Sequence, residues 1–293
     1  MSEHSTFTAA LVQMRTGLLP EPSLAQATQL IREAAAAGAD YVQTPEVSNM
    51  MQLGRAALFA HLATEEDDMS LKAYQALAAE LKIHLHIGSL AVLATPDRAA
   101  NRSFLINPNG EIMAKYDKIH MFDIDLPNGE TYRESANYRP GENAVLADLP
   151  WGRIGLTICY DVRFPALYRA LAENGAIFLS VPSAFTQKTG EAHWHTLLRA
   201  RAIENGAYVF AAAQGGVHEN KRATYGHSLI IDPWGEIVAE AKGVEPGIIL
   251  AKIDPAKVAT ARSSVPSLQH GRRFGISDPS RGPEHLHVVR GSV

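Results

Sequence analysis

The sequence predicts an α/β (α+β) layered fold: two sheets packed face to face with helices outside. Three observations carry this. Apolar runs of strand length alternate with stretches of helical periodicity along the chain. Two turns, Pro108-Asn109-Gly110 and Pro233-Trp234-Gly235, are flanked by short apolar runs and read as hairpins, which argues against a purely parallel sheet. No Pro- or Ser-rich linker divides the 293 residues, so a single domain over 1–275 is expected, followed by a polar C-terminal tail over 276–293.

The elements follow in order. Residues 7–14 (FTAALVQM) read as a strand. Residues 23–37 repeat Leu24, Ala27, Leu30, Ile31 and Ala34 at helical spacing, and Gly38 supplies a stop. Residues 40–44 form a strand that runs into Pro45-Glu46. A helix over 71–82 and a strand over 84–93 precede the first hairpin, with arms at 103–106 and 111–116. Residues 117–143 are a long polar connection, a length that is usually functional when it lacks structure of its own. The strand 153–159 gives way at Cys159-Tyr160-Asp161 to a helix over 165–174, with Pro165 in its first turn. A strand at 177–181, a helix over 193–205 and a strand at 208–213 come next. The second hairpin spans 228–232 and 236–239, and 248–253 is a last strand.

Composition narrows the function classes. Apolar residues make up 46% and charged residues 20%, too apolar for disorder. Lys plus Arg is 27 against 31 for Asp plus Glu, which offers no basic footprint for nucleic acid. No apolar run has the length of a membrane span, and MSEHSTF lacks the basic and apolar regions of a secretory leader. A single cysteine cannot form an internal disulfide, which fits a reducing cytoplasm, and the Asn101-Arg102-Ser103 sequon is then expected to be chance. No GxGxxG, GxxxxGK[ST] or G-x-S-x-G motif occurs. His84 and His86 share a strand face and His193 and His195 do not share a helix face; neither pair has an evident third ligand, so no metal is expected.

Four residues are candidates for chemistry. Cys159 ends an apolar strand (RIGLTIC), where a nucleophile can project from a rigid sheet beside free backbone N–H groups. Glu46 follows a proline that ends strand pairing, so its side chain is expected to face a cleft. Lys118 lies just beyond the first hairpin, and Glu134 lies in the long connection. Each residue alone also fits an ordinary buried cysteine or a solvated surface charge.

Together these positions resemble the nitrilase superfamily of carbon–nitrogen hydrolases. Its Glu, Lys and Cys occur in chain order within YVQTPE, KYDKIHMFDID and RIGLTICYDVRFP, and TYRES supplies Glu134 as a loop carboxylate. The resemblance runs over roughly residues 7–274 and includes PSAFTQKTGEAHWHTLLRARAIEN and YGHSLIIDPWGEIVAE. It implies a four-layer α-β-β-α sandwich, assembled as a homodimer or larger homo-oligomer, and a thiol-dependent amidase without metal or organic cofactor. Cys159 would form a thioester and Glu46 would move protons, with a raised pKa expected for that role. Lys118 and the Tyr160 N–H would stabilise the oxyanion, and Glu134 would hold Lys118. Arg163 is the expected substrate carboxylate clamp, and Thr186 is expected to line the pocket. Residues 181–235 resemble most the branch that hydrolyses deaminated glutathione. An ω-amidase, an N-carbamoyl amide hydrolase, and a non-catalytic redox-responsive binding protein are the alternatives.

Overall fold

Strand β1 (Phe7–Gln13) shows how the layers form: Phe7, Ala9 and Leu11 enter one apolar cluster, Ala10 and Val12 another. That alternation is the period-two pattern of a strand buried on both faces. The computed structural model describes residues 5–126, 129–276, 280 and 287–289. After β1 come α1 (Pro20–Ala36), β2 (Tyr41–Gln43), α2 (Arg55–His61), α3 (Met69–Leu81), β3 (His84–Thr95), β4 (Arg98–Ile106) and β5 (Ile112–Asp117). A ribbon of β6 (Asp123–Asp125) and β7 (Thr131–Arg133) crosses the long connection. The second half runs β8 (Val145–Leu149), β9 (Gly152–Leu156), α4 (Pro165–Glu173), β10 (Phe178–Ser180), α5 (Gln187–Asn205), β11 (Tyr208–Ala211), β12 (Gly215–Val217) and β13 (Ala223–Tyr225). It ends with β14 (Leu229–Ile231), β15 (Ile237–Glu240), β16 (Gly247–Ile253), α6 (Ala256–Ser264), β17 (Phe274–Ile276) and β18 (His287–Val289).

Two six-stranded sheets share one plan, in the orders β16-β1-β2-β3-β4-β5 and β15-β14-β11-β10-β9-β8. In each, three parallel strands (β1-β2-β3; β9-β10-β11) are flanked by antiparallel ones. Helices α1 and α3 cover the outer face of the first sheet with Leu30, Ile31, Leu71 and Tyr74. Helices α4 and α5 cover the second with Leu171, Trp194 and Leu198. Between the sheets Phe7 stacks on Trp151 at 4.1 Å and Tyr41 meets Phe210 at 5.4 Å. The result is the four-layer α-β-β-α sandwich that the resemblance implied.

Several elements escape a periodicity reading, each for a physical reason. Helix α2 buries only Leu58, and α6 only Val258 and Ala261, too few apolar contacts to mark a face. Strand β4 begins at Arg98 because its polar first half pairs with β3. Helix α5 begins at Gln187 rather than 193, since its polar first turns run under β13. A Cβ on Gly190 would sit 2.2 Å from the Tyr225 ring. Strand β17 pairs with β18, whereas 277–279, 281–286 and 290–293 of the expected tail lie outside the described residues. Among the described residues no helix is long and apolar enough to cross a membrane.

Candidate active site

Glu46 is set by an abrupt strand end. Thr44 N–H still bonds His86 O at 3.0 Å, after which Pro45 ends the pairing. The Ser48 hydroxyl then bonds Pro45 O at 2.6 Å and Thr44 Oγ1 at 2.9 Å, and Val47 takes φ +50°. Gly88 on β3 permits this crossing. A Cβ there would lie 2.1 Å from Thr44 O and 2.4 Å from Pro182 Cβ, so no other residue fits without a shift.

Cys159 opens a 3-10 turn (Cys159–Arg163) separated by two residues from the end of β9, in the left-handed region at φ +50°. A non-glycine residue held there carries strain of about 1–3 kcal/mol, sustained only where surroundings over-determine it. Those surroundings are visible. Cys159 N–H donates to Pro182 O at 2.9 Å. Asp161 is fully buried and accepts from Ile158 N–H at 2.9 Å, Tyr116 Oη at 2.7 Å and His120 N–H at 3.1 Å. Asp161 thereby ties the cysteine turn to β5 and the connection behind it.

Lys118 follows β5 and Glu134 begins a 3-10 turn after β7, so the long connection returns a carboxylate to the lysine. Lys118 Nζ lies 2.8 Å from Glu46 Oε1 and 2.8 Å from Glu134 Oε2. Lys118 is 2% and Glu46 4% exposed, so the ammonium is held by carboxylates instead of water. Asn101, on β4, donates through Nδ2 to Glu46 Oε1 at 2.9 Å and Glu134 Oε1 at 3.0 Å. The Ala184 N–H donates to Glu46 Oε2 at 2.8 Å, and Gln214 Nε2 to Glu46 O at 2.9 Å. One cavity brings together Glu46, Lys118, Glu134 and Cys159, with Met50, Met51, Tyr132, Tyr138 and Arg222 on its walls.

The charges are coupled. Burial opposes the Lys118 charge, but Glu134 and Glu46 hold its pKa well above the ordinary lysine value. Burial pushes the Glu46 carboxyl up, yet Lys118 more than offsets this and the net direction is down. The expectation of a raised Glu46 is therefore corrected: the resting group is an ionised base. Burial, then the Glu46 charge, push the Cys159 thiol up, so it keeps its proton until a base removes it. A redox sensor needs the opposite shift, which disfavours that alternative.

Tyr160, Arg163 and Thr186 do not line this cavity. The Tyr160 ring packs on Phe122 and Phe164, while its N–H stands at the start of a turn, where amides lack a partner within the turn. The Arg163 guanidinium lies over the rings of Tyr160 and Phe185, at 5.8 and 5.4 Å, and contacts His193 Nδ1 at 3.3 Å. Thr186 is buried before α5, its hydroxyl bonded to Thr189 Oγ1 at 2.8 Å. Asn101, Asp161 and Arg222 were not singled out from sequence. Asn101 sits in the sequon, only 2% exposed, where a polar strand residue reads as surface. His84 meets Trp151, and the fully buried His86 bonds Tyr41 and Ser103. Elsewhere His195, His227 and Glu240 bring ligand-type atoms within 4.8 Å of one another, away from the cavity.

The profile of the carbon-nitrogen hydrolase family matches residues 8–263. The deaminated glutathione amidase of Yersinia enterocolitica is 42% identical over 270 residues, covering 90% of this chain and 92% of that protein. The human omega-amidase NIT2 is 35% identical over 272 residues, covering 92% and 96%. The crystal structure of the C. elegans NitFhit protein superimposes with a TM-score of 0.84 at 37% identity, covering 91% of this chain and 65% of that longer one.

Proposed function

Because the chain belongs to the carbon–nitrogen hydrolase family and is an amidase acting on non-peptide C–N bonds, we propose that it hydrolyses deaminated glutathione to α-ketoglutarate and Cys-Gly through a thioester on Cys159. The observation that carries the chemistry is the meeting of Glu46, Lys118, Glu134 and Cys159 in one cavity. The 42% identity to a deaminated glutathione amidase supports the substrate.

Glu46 takes the Cys159 thiol proton as Sγ bonds the amide carbonyl carbon. The oxygen gains negative charge and is met by the Lys118 ammonium and the Tyr160 N–H; one such donor is worth about 2.7–4 kcal/mol of barrier. The C–N bond then breaks and Glu46 hands its proton to the departing amine. A water gives a proton to Glu46 and attacks the thioester. Collapse releases the acid and returns the proton to sulfur. Glu134 keeps Lys118 charged throughout. Arg163, stacked over Tyr160 and Phe185 outside the cavity, is not given the carboxylate contact expected of it, and Thr186 supports the loop that carries Ala184 instead of lining the pocket. The same reading covers residues 1–275 as one hydrolase domain, in a cytoplasmic homo-oligomer. Exposed Ile203, Trp234, Ile237 and Val238 offer apolar surface for that assembly.

The experiment is a substrate panel. The value of kcat/KM for deaminated glutathione is expected to exceed that for α-ketoglutaramate by about tenfold or more, roughly 1.4 kcal/mol, within reach of one carboxylate contact. N-carbamoyl compounds are expected to be poorer still. Equality, or a preference for α-ketoglutaramate, reassigns the enzyme as an ω-amidase with the same catalytic residues.

The pH profile tests the base. Glu46 is lowered from 4.5, so the acid limb of kcat/KM is expected below the ordinary glutamate range. The same shift stabilises the fold above the unfolded carboxylate pKa, a contribution lost as pH falls through the lowered value. A limb near pH 6–7, as for a Glu tuned upward to about that range, would remove Glu46 as the resting carboxylate base.

A further inference from the structure

We propose that Arg222 clamps the carboxylate of the leaving group, and so selects amides whose departing amine carries an acid over primary amides. This rests on the amidase reading above and extends it to a residue outside the Glu46, Lys118 and Cys159 motifs.

Arg222 stands apart from the other cations on the cavity wall. Lys118 is held by two carboxylates. Arg133, also on the wall, donates from Nη2 to both carboxylate oxygens of Asp125 at 2.7 and 2.9 Å. Arg222 makes no ion pair within 4 Å of a carboxylate among the described residues, and the carboxylate its charge acts on, Glu46, is already bonded to Lys118. Its Nη2 donates to Ala184 O at 2.5 Å, while its Nε is buried and unpartnered. A guanidinium presents five donors in a planar fork that matches a carboxylate bidentately. Buried donors left unmade are costly, so an anionic ligand here repairs a deficit that a neutral one does not.

The position of Arg222 identifies which end of the substrate it meets. Ala184 joins the two groups: its carbonyl accepts from Arg222 and its N–H donates to Glu46 Oε2. Glu46 delivers the proton to the departing amine, so the leaving group comes to the Arg222 side of the scissile bond. In Cys-Gly that group ends in a carboxylate two residues along; in ammonia there is nothing to hold. The arginine is also fixed in place. Its ring partner is Tyr132, 5.4 Å beneath the guanidinium. Its N–H bonds Asn220 Oδ1 at 3.0 Å, and Asn220 Nδ2 bonds Met51 O at 2.7 Å, tying the turn between β12 and β13 to the loop after Glu46.

The test uses calorimetry on the Cys159→Ala protein with deaminated glutathione and its C-terminal amide, which removes only the distal charge. Amidation is expected to weaken binding about tenfold or more in Cys159→Ala, the scale of one charge-assisted contact. In Cys159→Ala/Arg222→Met the penalty should shrink to less than about threefold. Arg222→Gln, which keeps a donor for Ala184 O without the charge, should behave like methionine if the methionine variant folds poorly. Arg222→Lys should restore part of the discrimination. Full discrimination retained in folded Arg222→Gln overturns the Arg222 assignment while the amidase reading stands. No binding of deaminated glutathione to Cys159→Ala overturns both the Arg222 assignment and the choice of deaminated glutathione as substrate.

Discussion

Replacing Cys159 with alanine is expected to abolish amide hydrolysis in a protein that still folds. The loss follows from chemistry: among the described residues this is the one thiol in the cavity, and no other group there forms a thioester. The fold should survive because the change removes one buried sulfur, worth about 1 kcal/mol. The Glu46–Lys118–Glu134 contacts do not pass through it. Incubating the wild type with substrate and reading intact mass should reveal an acyl adduct that the variant lacks. Turnover surviving in a folded Cys159→Ala protein would sink the nucleophile assignment.

Replacing Lys118 with methionine should produce the second large effect, on two observables at once. Loss of the oxyanion donor lowers kcat by about a hundredfold or more, with a smaller change in KM. Glu46 is then left buried without its cation, beside a half-buried Glu134, which costs about 3–5 kcal/mol of stability. The pH dependence reverses sign. In the wild type Lys118 lowers Glu46, so stability is lost as pH falls. In the variant the buried Glu46 carboxyl has a raised pKa, so stability is present at low pH and lost as pH rises. Thermal melts at mildly acidic and neutral pH should show the gap to wild type narrowing in acid. A large rise in KM at unchanged kcat would instead make Lys118 a ground-state binder.

Strand and helix alternation was legible because buried strands and amphipathic helices write their periodicity into apolar positions such as Leu24, Ala27, Leu30 and Ile31. Elements with little apolar burial, α2 and α6, left no such mark. Among site residues, Glu46, Lys118, Glu134 and Cys159 were legible through the motifs around them, since no one of them differs by type from a surface charge or a core cysteine. Asn101 and Arg222 were not. A polar residue in a strand or turn has the same sequence appearance whether it meets water or a buried carboxylate.

What the sequence determined by itself is therefore the layered α/β architecture, the family and four residues of the candidate site. Local periodicity and contiguous motifs are properties of neighbours in the chain. The tertiary structure decided what depends on distant segments meeting. Asn101 bridges Glu46 and Glu134 across 55 and 33 residues, and Arg222 reaches Ala184 across 38. It also decided the direction of the Glu46 shift. Burial and the Lys118 charge act oppositely on that carboxyl, and only their distances in the folded chain settle which prevails.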